Sequence, residues 1–167
     1  MDFTHFDENG NAIMVDVSSK DTTQRSALAY GEIYVGKEIL DKIEKHQMKK
    51  GDVLSVARIA GIMAVKRTSD IIPLCHPLLL SKITVDFNIN HEKEVIETYC
   101  QVSCLGKTGV EMEALHGVGS SFAALFGVLP NTSFSQNVGL VTMTKIVNRF
   151  ALACGAIFLI ICGYFLK

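Results

Sequence analysis

The run Arg67-Thr68-Ser69-Asp70-Ile71-Ile72-Pro73-Leu74-Cys75-His76-Pro77-Leu78 sets a histidine between two prolines just past an expected helix end. Two fixed φ angles hold the imidazole's direction, an arrangement suited to hydrogen bonding or proton transfer as well as to a purely structural role. Lys66 and Arg67 lie close by in sequence. Lys50 and Lys107 each stand beside a glycine, Gly51 and Gly106, where accessible backbone N–H groups and an ammonium can hold phosphate oxygens; ordinary surface lysines satisfy the same spacing. Glu111 and Glu113, two apart on a helix, point to nearly opposite sides. They cannot form a glycosidase-like acid pair, so one can reach a site while the other is solvated. Gly106-Lys107-Thr108 lacks the spacing of a nucleotide-binding P-loop. Cys75, Cys100, Cys104, Cys154 and Cys162 form no CxxC pair, and Cys100 and Cys104 read as strand or core thiols rather than metal ligands.

The elements that must carry these groups follow from periodicity. Residues 1–26 are polar and read as a loosely ordered arm. Residues 27–35 alternate as a strand. Gly36 to Met48 places Ile39, Leu40 and Ile43 on one helical stripe, with Glu38 and Lys42 paired at i,i+4. Asp52 caps a second helix from Val53 to about Asp70, which Pro73 and Pro77 stop. Residues 81–89 alternate strictly, 91–94 are a polar turn and 95–104 a second strand, together a hairpin. Gly106 to Gly109 opens a helix carrying Val110, Met112, Ala114 and Leu115. The order is α+β, an antiparallel sheet with helices packed on one face.

All 17 carboxylates of the chain lie in residues 1–115, with 13 of its 16 Lys and Arg, so that part carries −4 and the 52 residues after it +3. The whole-chain charge of −1 gives no reason to expect nucleic acid as a partner. No basic-then-apolar leader opens the chain, and residues 1–115 read as cytoplasmic with reduced thiols. Phe150 to Leu166 is an uncharged apolar run flanked by Lys145, Arg149 and Lys167, which reads as an apolar helical tail able to contact a membrane through 150–166.

Met14-Val15-Asp16-Val17-Ser18, Lys50-Gly51-Asp52-Val53, Ala57-Arg58-Ile59-Ala60-Gly61-Ile62, Ile72 to Leu78, and Gly106 to Leu115 resemble, in order, the successive signatures of the molybdenum cofactor biosynthesis protein C family, the cyclic pyranopterin monophosphate synthases. The resemblance implies a ferredoxin-like fold, a hexamer of dimers with the active site at a subunit interface, and no metal or organic cofactor. It implies a lyase that converts 3',8-cyclo-7,8-dihydroguanosine 5'-triphosphate, a small-molecule substrate derived from GTP, into cyclic pyranopterin monophosphate and diphosphate. By motif position Leu74, Cys75, His76, Met112 and Glu113 contact the substrate, and Lys50 transfers a proton or positions phosphate. His76 also shuttles protons. The resemblance stops after Leu115, where His116-Gly117-Val118-Gly119-Ser120 follows. The family's later Asp-Met-x-Lys segment, with its catalytic Asp, has no counterpart, since no carboxylate follows Glu113. The expected organisation is therefore an incomplete synthase domain, 1–115, and a distinct segment, 116–167. In that segment Phe126 to Lys145 is similar to the signature of the xanthine and uracil permease group of nucleobase:cation symporters. By that resemblance Gln136, Asn137, Gly139 and Thr144 belong to a substrate-proximal broken helix, and the chain is a chimera.

Overall fold

Three long antiparallel strands form the frame, in a computed structural model that describes residues 5, 7–49 and 51–127. Strand β1 (Thr23–Tyr34) and strand β2 (Leu80–Asn90) flank a central strand β3 (Val95–Gly106). The expected hairpin is present: β2 turns into β3 through 91–94, where Asn90 Oδ1 accepts from Lys93 N at 3.1 Å and Glu94 takes a left-handed φ of 56°. β1 begins at Thr23, four residues before the start expected from alternation, because it pairs with β3 along its whole length, from Thr23 opposite Gly106 to Tyr34 opposite Val95.

Period-two alternation gives the sheet two unlike faces. Cys100, Val102 and Cys104 of β3, with Val85 of β2, are buried under helices α2 (Val53–Lys66) and α4 (Glu111–Leu125), which supply Val65, Ala114 and Val118. The opposite face exposes Leu28, Tyr30, Tyr34, Tyr99 and Leu105, with the Tyr30 and Tyr99 rings 5.1 Å apart.

Helix α1 (Lys37–Glu44) is shorter than expected. After Glu44 the chain wraps back, His46 adopts φ 53°, and Gln47 N donates to Lys42 O at 2.8 Å. Leu40 and Ile43 are buried against Ile96, but Ile39 of the anticipated stripe is 40% exposed, since one residue along a helix turns about 100° away from its neighbour. The Glu38–Lys42 pair forms at 2.6 Å. Asp52 caps α2 by accepting from Ser55 N at 3.0 Å. That helix ends at Lys66 and restarts as the short α3 (Thr68–Ile71), rather than running to Asp70 unbroken. At the break the Thr68 hydroxyl contacts Ala64 O and Val65 O, competing with the backbone ladder.

α4 passes through the expected junction at 115/116 without a break and runs to Leu125. His116, Gly117, Val118, Ser120 and Ser121 are all buried. Small residues make this possible: a Cβ on Gly117 would stand 2.5 Å from Cys100 Sγ and 2.7 Å from Val65 Cγ2, and one on Gly61 would stand 3.0 Å from Gly117 O. α2 and α4 thus cross with backbone nearly against backbone. The apolar tail, including 150–166, lies outside the described residues. Among those described, no helix is long and apolar enough to cross a membrane.

Candidate functional site

The Pro73–Pro77 loop delivers its side chains in two directions. His76 turns toward the N-terminal arm, where Nε2 meets Val15 O at 2.8 Å. A carbonyl can only accept, so Nε2 carries the proton and Nδ1 of the neutral ring is left as an acceptor. The same arm is tied a second time, by Lys107 Nζ donating to Ser18 O at 2.7 Å. Farther along, Asp7 closes a turn by accepting from Asn9 N and Asn11 N. Residues 13–18 are therefore held against the site, where a loosely ordered arm was expected. Between arm, loop and the β3–α4 connection lies a cavity of about 250 Å³, lined by Val17, His76, Leu78, Gly106, Lys107 and Thr108 among others. Its make-up is one imidazole, one ammonium and an apolar floor, which suits a flat ring bearing anionic groups.

Cys75 turns the other way, toward α4, and its thiol donates to Glu113 Oε1 at 3.4 Å. Burial, then the charge and hydrogen bond of Glu113, push the Cys75 thiol up to about 12. This thiol is a hydrogen-bond donor, with almost no thiolate for nucleophilic attack. Glu113 is 3% exposed, and burial raises its carboxyl above the usual range, with the hydrogen bonds from its own backbone and from Cys75 opposing. Glu111, two residues earlier, is exposed, so the two carboxylates divide as their spacing requires. Behind Glu113 a smaller cavity of about 20 Å³ is bordered by Lys66, Thr68 and Ser69.

Of the residues singled out from sequence, His76 and Lys107 share the larger cavity, and Cys75 and Glu113 are bonded to each other. Leu74 is half-buried and Met112 is 40% exposed; neither lines these two cavities. Lys50 lies outside the described residues. Arg67 is exposed and pairs with Asp70 at 3.6 Å. Cys100 and Cys104 are buried on β3 as free thiols. Among the described residues one grouping could hold a metal ion, Asp41, Glu44 and His91, and it is made of α1 and β2–β3 turn residues rather than of the site's own.

Two contributors escaped sequence reasoning. Thr68 Oγ1 lies 3.2 Å from His116 Nδ1, joining α3 to α4 beneath the site, across 48 residues of sequence. The helical offset of three between Glu113 and His116, which puts both on one face, was the signal for it. The other is the backbone of the arm, Val15 O and Ser18 O, which no side-chain pattern encodes.

Comparison with known proteins gives a consistent result. The model of the MoaC family matches residues 14–145. A cyclic pyranopterin monophosphate synthase of Clostridium perfringens (strain SM101 / Type A) is 52% identical over 122 residues, 73% of this chain and 76% of the relative. The synthase of Clostridium botulinum (strain Alaska E43 / Type E3) is 49% identical over 124 residues, 74% and 78% of the two chains. That of Natranaerobius thermophilus is 42% identical over 144 residues, 86% of this chain and 91% of the relative.

Proposed function

Because the chain belongs to the MoaC family, we propose that it is a cyclic pyranopterin monophosphate synthase-type lyase of molybdenum cofactor biosynthesis. Its substrate in this reading is 3',8-cyclo-7,8-dihydroguanosine 5'-triphosphate, and its products are cyclic pyranopterin monophosphate and diphosphate. The observation that carries the reading is the pairing of His76 and Lys107 across one cavity, with the Cys75–Glu113 bond set in the same loop and helix. The apolar floor takes the ring system, Lys107 meets phosphate oxygens, and Nδ1 of His76 accepts and returns a proton. Leu74, Cys75, Met112 and Glu113 contact the substrate, and Lys50 serves as proton-transfer or phosphate-positioning group. Turnover is slow, because no carboxylate follows Glu113 to act as the family's later catalytic Asp.

In this reading the three described antiparallel strands and their helices are part of a ferredoxin-like plan, and the exposed Leu28, Tyr30, Tyr34, Tyr99 and Leu105 are the kind of surface that assembly into a hexamer of dimers covers. Residues 1–115 work in the cytoplasm in this reading. A second reading concerns the end of the chain beyond residue 145, where the family match stops: the uncharged run 150–166, flanked by Lys145, Arg149 and Lys167, favours a segment that contacts a membrane. Recovery of the expressed chain in the membrane pellet supports it, and recovery as a soluble assembly refutes it.

Titrating the cyclised nucleotide into the full chain tests the main proposal. Saturable binding is expected, weakened about tenfold by His76→Ala, the effect of losing one hydrogen bond at the strong end of the usual range. Binding that is absent, or indifferent to His76, refutes it.

A further inference from the structure

Glu113 has two oxygens in different surroundings. Oε1 receives the Cys75 thiol. Oε2 is buried, has no hydrogen-bond partner among the described residues, and belongs to a residue that borders the small cavity. A buried acceptor left unmatched is destabilising, and native proteins satisfy such atoms with protein groups or ordered water. The cavity's volume, about 20 Å³, is enough for one water, which needs roughly 10–15 Å³ measured this way, and too small for a ring. Its polar lining is Glu113, Lys66, Thr68 and Ser69.

The hydroxyl arithmetic also fits. Thr68 has one hydrogen, directed to the carbonyls of Ala64 and Val65, so its oxygen accepts from His116 Nδ1 and retains one lone pair. A water in the cavity can donate to that lone pair and to Glu113 Oε2 together, which gives it the two or more polar partners a buried water requires. Ser69, half-buried, and Lys66, exposed, form the side of the cavity nearest solvent.

We propose that this cavity is a single-water site that gives Glu113 a rear path for protons, past Ser69 to solvent, separate from the ligand cavity at His76. In the lyase reading a carboxyl that changes protonation during turnover must exchange its proton with bulk, and since the Cys75 thiol occupies Oε1, the small cavity beside Glu113 is the route left to Oε2. Through the rear path the proton on Oε2 passes to the water oxygen, one of the water's protons passes to Ser69 Oγ, and the Ser69 proton leaves to solvent. The net result is one carboxylate and one proton in bulk. Ser69 and Thr68 are on this account positioning residues that act through Glu113.

The water site stands on the structure alone, whereas its use in turnover rests on the lyase reading. The experiment therefore has two arms. In a high-resolution crystal structure of the full chain, one ordered water is expected within hydrogen-bonding distance of Glu113 Oε2 and of the Thr68 or Ser69 hydroxyl. A cavity closed by side chains, or without such a water, overturns the proposal whether or not the chain is active. In steady-state kinetics, Ser69→Val is expected to lower kcat about tenfold with KM unchanged, and Ser69→Thr, which keeps the hydroxyl, to restore it. A water present with kcat indifferent to Ser69→Val overturns the proton path, and a chain that neither binds nor turns over the nucleotide refutes the lyase reading while leaving the first arm decisive for the site.

Discussion

Gly117→Ala reports on whether the second half of α4 belongs to the folded body, because its sign differs between the two cases. In a solvent-facing helix, replacing glycine by alanine stabilises by about 1 kcal/mol through reduced backbone entropy in the unfolded chain. In this structure the new methyl would stand 2.5 Å from Cys100 Sγ and 2.7 Å from Val65 Cγ2, both in the main core. Relieving such contacts costs about 1–3 kcal/mol in a packed interior, which outweighs the propensity gain and leaves a net loss on the order of 1 kcal/mol. At a rate between the roughly 4–8 °C per kcal/mol of domains of 60–100 residues and the roughly 2–4 °C of domains of 150–250 residues, the thermal midpoint falls by a few degrees. Thermal unfolding followed by far-UV circular dichroism measures it, and urea unfolding with a constant slope m should give a loss of the same sign. Repeating the substitution in a Cys100→Ala background should shrink the loss, because the nearest obstacle is gone. A midpoint that rises on Gly117→Ala would refute the packing of α4 described above.

Glu113→Gln should stabilise the protein at neutral pH and do so less as pH falls. The folded carboxyl titrates above its ordinary value of 4.5, so protonation favours the folded state fully below that value and the benefit is lost as pH rises through the folded pKa; equal pH dependence of the two proteins would contradict it. Cys75, with its thiol pushed up to about 12, should alkylate at pH 8 roughly three orders of magnitude more slowly than an ordinary thiol, judged by thiolate fraction. Mass-spectrometric labelling checks this, and Glu113→Gln should speed it by removing the neighbouring charge.

Much of the frame was legible because its signals are local. Strict alternation marked β2, the polar turn after it marked β3 as its hairpin partner, a capping Asp marked the start of α2, and Pro73 and Pro77 marked the loop that aims His76. What escaped depends on distant partners. β1 extends back to Thr23 because β3 offers it pairing that far, not because residues 23–26 alternate between apolar and polar. Ile39 and Leu40 are equally apolar, and only the position of Ile96 decides that Leu40 is the one buried. The stretch 116–125 read as foreign because it lacks carboxylates. Its burial supplies another cause, since a helix crossed at Gly61 and Gly117 and packed through Val118, Ser120 and Ser121 has little solvated surface on which to carry them. Composition registers the loss of water contact without telling a neighbouring helix from a lipid. At the site, Cys75 and Glu113 were both legible as candidates, whereas their bond to each other depends on how α4 lies against the loop.

The most direct test is turnover of 3',8-cyclo-7,8-dihydroguanosine 5'-triphosphate by the full chain, assayed beside the Clostridium perfringens relative at the same protein concentration. Formation of cyclic pyranopterin monophosphate is expected, at a rate lower by about 10² to 10⁴, the usual contribution of one general acid–base group. A rate equal to the relative's would contradict the role given to the missing carboxylate, and no product at any protein concentration would contradict the lyase itself.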